Sequence, residues 1–104
     1  MAKASETHVP PYEVSAALES LGRHLERARL ARGDTQKVAG ERCGLHAQTI
    51  ARIEKGDPSV GISKVFTLMA QYGMSQRLFE LARTDEATEI LYRKHLPARG
   101  RSNP

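Results

Sequence analysis

Gln48 and Arg52 stand four residues apart, a spacing that sets both side chains on one helical face. Both end in planar groups that bond through two atoms at once. A carboxamide can pair twice with the edge of adenine, and a guanidinium twice with guanine. Ala47 and Ala51 occupy the remaining outward positions of the same segment. Elsewhere no nucleophile–base pair, phosphate-binding glycine loop or metal cluster falls at a usable spacing. His8, His24, His46 and His95 are scattered, and one cysteine, Cys43, can build neither an intrachain disulfide nor a thiolate zinc site. The chemistry expected is recognition rather than catalysis, with no cofactor and no metal.

Two elements must position that face. Thr35 can cap a helix over Gln36 to Cys43, its hydroxyl accepting from the free amides of the first turn. Gly44 supplies the left-handed residue that follows a helix end. After the short turn Gly44-Leu45-His46, a second helix runs from Ala47 to Glu54 with Ile50 and Ile53 inward, and Gly56 closes it. Gly40 sits where the two helices come closest and where only a small side chain fits. Two short helices joined by a three-residue glycine turn are the skeleton of a helix-turn-helix, whose second helix lies in the DNA major groove while the first crosses the backbone.

The rest of the chain supplies a scaffold. Residues 1–13 read as a flexible arm that contains Pro10-Pro11. A long helix from Val14 to Arg32 carries Leu18, Leu21, Leu25 and Ala28 in one apolar stripe, and Gly33 ends it. Asp57-Pro58-Ser59 is a turn. A fourth helix, Ile62 to Tyr72, should bury Ile62, Val65, Phe66 and Met69. Ser75 should cap a fifth, Gln76 to Ala82, whose Leu78, Phe79 and Leu81 exceed what one face of a short helix needs and are candidate dimer contacts. Residues 14–83 thus form the binding domain. A sixth element within 84–96, helix in preference to strand, is available for dimer or partner contact, and 97–104 is a disordered basic tail.

Composition agrees with one globular domain. The chain has 104 residues, 39% hydrophobic and 27% charged, with 5% aromatic residues and no Trp, so the core should be Leu, Ile, Val, Ala and Met. The net charge of +4 suits an anionic partner without choosing among nucleic acid, membrane and acidic protein. No apolar signal core opens the sequence and no apolar run is long enough to span a bilayer, which points to a cytoplasmic protein.

From Thr35-Gln36 through Gly44 to Thr49-Ile50 and Ile53-Glu54-Lys55-Gly56, the sequence resembles the Cro and phage-repressor (XRE) family over about residues 21–82. The resemblance implies an all-α, five-helix, lambda-repressor-like domain. It places base-reading residues at Ala47, Gln48, Ala51 and Arg52, and a phosphate donor at Gln36, where the amides of the helix end also favour an anion. It pairs Arg29 with Glu54, the arginine helping to orient a phosphate contact. His46, Thr49 and Lys55 complete the phosphate-facing set; Gly40, Gly44, Ile50, Ile53, Glu54 and Gly56 are structural. Three positions depart from the pattern. Val38 stands where Glu often completes a capping box, Ala39-Gly40 where Leu-Ala is common, and His46 where Ser or Thr often caps the recognition helix.

A narrower resemblance, carried by Glu54-Lys55-Gly56-Asp57-Pro58-Ser59-Val60-Gly61, Leu78-Phe79-Glu80-Leu81-Ala82 and Leu96-Pro97 with Arg99 and Arg101, is to HipB-type antitoxins. It implies a homodimer that represses its own operon at a palindromic double-stranded DNA operator and binds a HipA-like kinase toxin. The alternatives are a stand-alone XRE regulator without a toxin and a module that mainly neutralises a protein. Plainer readings stand beside these. Arg29–Glu54 is equally a structural ion pair, Cys43 is a small core residue, and Arg99 and Arg101 are a solubilising tail.

Overall fold

The computed structural model describes residues 9–96, and these form six α-helices and no strand. They are α1 (Tyr12–Ala31), α2 (Gln36–Cys43), α3 (Ala47–Glu54), α4 (Ile62–Gln71), α5 (Ser75–Ala82) and α6 (Glu86–His95). The expected bounds of the two helix-turn-helix elements match α2 and α3. Residues 1–8 of the expected N-terminal arm and the basic tail over 97–104 lie outside the described residues; Tyr12 and Glu13, expected in the arm, belong to α1.

α1 begins two residues earlier than the sequence suggested. The Pro11 carbonyl accepts the Val14 and Ser15 amides, each at 3.0 Å, so the helix forms before its apolar stripe does. Tyr12 and Val14 are accordingly exposed. Of the expected stripe, Leu25 is fully buried and Leu21 and Ala28 pack beside it, while Leu18 is half-buried outside that cluster.

The core is Leu25, Ile50, Ile53, Leu68, Met69 and Tyr72, with Leu45, Val60, Val65, Phe66, Met74 and Leu78 packed around it. Three expectations are corrected here. Ile62 is 66% exposed; it stands in the first turn of α4, before the helix reaches the core. Leu68 and Tyr72 take the central places instead, so the core includes an aromatic ring. Its hydroxyl has no hydrogen-bond partner among the described residues, and Arg32 stacks over the ring at 4.9 Å. Ser75 is the first residue of α5 and not its cap; Met74 holds the cap position, with no side-chain bond.

α5 and α6 lie at the margin of this core. Of the three candidate dimer contacts, Leu78 is half-buried and packs against the core, while Phe79 and Leu81 are 67% and 68% exposed. The sixth element is a helix. Asp85 accepts the Thr88 amide at 2.9 Å and its hydroxyl at 2.8 Å. Glu86 and Glu89 lie in the first turn and Arg93, Lys94 and His95 in the last, each sign at the helix end whose dipole favours it. None of the α6 residues is buried.

Candidate nucleic-acid interface

The α2–α3 unit is closed by backbone contact. Gly44 adopts φ 77°, and the Gly44 and Leu45 amides both donate to the Gly40 carbonyl, Leu45 at 2.9 Å. A Cβ on Gly40 would collide with the Leu45 carbonyl oxygen. The small residue foreseen at position 40 is therefore required, although its tight neighbour is the turn between the helices rather than the facing helix. Thr35 accepts the Val38 amide at 3.1 Å, so half of a capping box forms even with Val at the third position. The His46 ring makes no cap bond to α3, which starts on the His46 carbonyl accepting the Ile50 amide at 3.1 Å.

Ile50 and Ile53 face the core and hold α3 against α1 and α2. A contact not foreseen from sequence fixes the far end of α3. A Cβ on Gly22 would lie 2.7 Å from the Ile53 carbonyl oxygen and would also collide with that of Glu54. α1 thus crosses the last turn of α3 at backbone distance. The signal was present in the sequence, since a glycine inside a helix costs about 1 kcal/mol against alanine and asks for a packing reason.

One polar network ties this assembly together. Arg29 and Glu54, each 8% exposed, form a two-point ion pair, Nε to Oε2 at 2.7 Å and Nη2 to Oε1 at 3.0 Å. Arg29 Nη1 donates to the Asp34 carbonyl at 2.9 Å. Gln36 Nε2 donates to Glu54 Oε1 at 3.0 Å. The carboxylate bonded to Arg29 raises the pKa of the guanidinium despite its burial. Arg29 is spent on Glu54 and Asp34 and does not itself face solvent; through Glu54 it sets the position of Gln36, the half-buried first residue of α2.

The other face of α3 is open. His46, Ala47, Gln48, Arg52 and Lys55 are exposed, and Thr49 and Ala51 half-exposed. The Gln48 side chain makes no hydrogen bond among the described residues, whereas Arg52 is engaged at one edge. Its Nε donates to Asp57 Oδ2 at 3.0 Å and its Nη2 to Ser59 Oγ at 2.7 Å. The turn was read from sequence as a turn only; its carboxylate, five residues beyond Arg52, was the overlooked partner. Cys43 packs half-buried on the core, and burial raises its thiol pKa. Among the described residues no helix is long and apolar enough to cross a membrane.

The described geometry is thus a short helix locked from behind by apolar side chains and an ion pair, with a row of hydrogen-bonding side chains in front. Residues 20–82 match the model of a protein family described as a helix-turn-helix domain. Comparison with curated proteins gave no match.

Proposed function

The chain belongs to the helix-turn-helix domain family, and from that premise we propose that it is a cytoplasmic, sequence-specific DNA-binding repressor without enzymatic activity. α3 enters the major groove, where Gln48 and Arg52 read base edges beside Ala47 and Ala51. Gln36, His46, Thr49 and Lys55 approach phosphates. The observation that carries this reading is the two-sidedness of α3: Ile50, Ile53 and Glu54 are buried behind it, and its opposite face presents Gln48 and Arg52 to solvent.

One such helix touches few bases, so the reading includes a homodimer on a palindrome with half-sites about 34–36 Å apart. The exposed Phe79 and Leu81 support a contact between copies. Within the same reading, the Glu54-to-Gly61 run supports the narrower role of a HipB-like antitoxin that represses its own operon and binds a HipA-like kinase. A stand-alone regulator would share the DNA face and lack that partner; co-purification with the product of the neighbouring gene separates the two.

The test is selection of binding sites from a randomised DNA pool, followed by affinity measurements across salt concentrations. A preferred, two-fold symmetric sequence bound more tightly than random DNA is expected, with log affinity falling linearly against log salt. Equal affinity for all sequences would refute the repressor reading.

A further inference from the structure

The bonds around Arg52 form a small closed ring. Asp57 Oδ1 accepts the Ser59 amide at 2.8 Å and the Ser59 hydroxyl at 2.7 Å. Asp57 Oδ2 accepts Arg52 Nε at 3.0 Å. The Ser59 hydroxyl, which donates its hydrogen bond to Asp57, accepts one from Arg52 Nη2 at 2.7 Å. The Asp57 amide closes the circuit by donating to the Arg52 carbonyl at 3.0 Å. The guanidinium has five N–H donors in a rigid plane. The ring uses those along the Nε–Nη2 edge and leaves the pair at the tip, on Nη1 and Nη2, without an acceptor among the described residues. The tip is a two-donor fork of the kind that matches O6 and N7 of guanine. The Arg52 side chain is 54% exposed, so the fork opens to solvent.

We propose that Asp57 and Ser59 are positioning residues for sequence readout: they hold Arg52 by its edge so that its tip is presented, preformed, to a guanine in the major groove. The inference rests on the DNA-binding reading of α3. It adds two residues from the following turn to the specificity apparatus. The arrangement has two consequences. Fixing a long side chain before binding removes part of its ordering cost, which for one such side chain corresponds to roughly two- to tenfold in affinity. A carboxylate beside the groove would by itself repel phosphate, but here its charge is matched by Arg52, and both bonds from Ser59 and the one from Arg52 hold the Asp57 carboxyl well below the ordinary carboxylate range, at about 2. The pair therefore stays fully charged at neutral pH.

An opposing role has the same geometry. If the ring instead sequestered Arg52 from DNA, loosening it would improve binding. The experiment compares the full chain with Asp57→Asn, Ser59→Ala, Ser59→Thr and Arg52→Ala on the selected site and on variants of it substituted one base pair at a time. A bidentate contact discriminates roughly 5- to 150-fold among bases. Arg52→Ala is expected to abolish discrimination at one G·C pair in each half-site. Asp57→Asn and Ser59→Ala are expected to lower discrimination at that same pair by roughly two- to tenfold, because a released guanidinium can turn to other acceptors. Ser59→Thr, which keeps the hydroxyl, should retain it. Preference at other base pairs should be unchanged in the turn variants, as should the salt slope in the two serine variants, whereas a merely structural role for the turn would lower affinity for every sequence alike. Wild-type discrimination in both Asp57→Asn and Ser59→Ala, or sharper discrimination by either, overturns the proposal while leaving the DNA-binding reading intact. No base-pair preference in the wild-type protein overturns both.

Discussion

Glu54→Ala removes the hub of the buried network. The substitution leaves the Arg29 guanidinium 8% exposed with its bond to the Asp34 carbonyl alone, having lost contacts of 2.7 and 3.0 Å to the carboxylate. Breaking a buried ion pair from one side costs about 3–5 kcal/mol, because the surviving charge stays desolvated without a partner. A domain of this size has roughly 5–15 kcal/mol in all, so about a fifth or more of its stability is at stake. With about 4–8 °C per kcal/mol for 60–100 residues, the thermal midpoint should fall by at least roughly 12 °C. Circular dichroism during heating and in urea measures both quantities. Replacing the pair together, as Arg29→Met with Glu54→Leu, removes both charges and should recover most of the loss. Gln36, which bonds to Glu54 at 3.0 Å, would still be unanchored in the double variant, so affinity for all DNA sequences should fall even where stability returns. A loss below about 1 kcal/mol in Glu54→Ala, the range of an exposed pair, would refute this account of the network.

Two further outcomes follow from the turn geometry. Gly40→Ala forces a methyl group onto the Leu45 carbonyl, and as backbone overpacking it should cost about 1–3 kcal/mol in urea unfolding; Gly44→Ala meets open space but must hold φ 77° and should cost about 1–2 kcal/mol. The Asp57 carboxyl titrates at about 2 in the folded chain against 3.8 for an unperturbed group. Its pKa is depressed, so its contribution to stability is complete above 3.8 and is lost as pH falls toward about 2. Ser59→Ala should move the Asp57 titration, followed by carboxyl-carbon NMR, back toward the ordinary value.

The helix-turn-helix was legible because its signals are local. Thr35, Gly44 and Gly56 punctuate the chain chemically, and the two isoleucines repeat at helical spacing, so the bounds of α2 and α3 followed without knowledge of the core. α4 shows where such reasoning stops. Apolar residues wrap more than half of that short helix, and at 3.6 residues per turn the buried face of Val65, Leu68, Met69 and Tyr72 is rotated by roughly 60° from the one centred on Ile62, Val65, Phe66 and Met69. Periodicity within the helix cannot choose between these faces; the choice is made by where α1 and α3 lie. Gly22 is the same kind of case, since its need for a bare Cα comes from the Ile53 and Glu54 carbonyls more than thirty positions away.

The site divides along the same line. That Gln48 and Arg52 point outward follows from spacing inside one helix. How Arg52 is held does not, because its partners lie on a turn whose path past the end of α3 is set by backbone bonds at Gly56 and Asp57, the amides donating to Ile53 and Arg52 at 3.0 Å each. Those bonds bring a carboxylate and a hydroxyl back along the recognition face. The turn that ends the helix is thus also the part that decides which edge of the guanidinium is engaged within the protein. On the proposed reading, specificity is written in two segments, α3 and the turn after it, and exchanging α3 alone into another scaffold would carry over Gln48 while leaving Arg52 without its support.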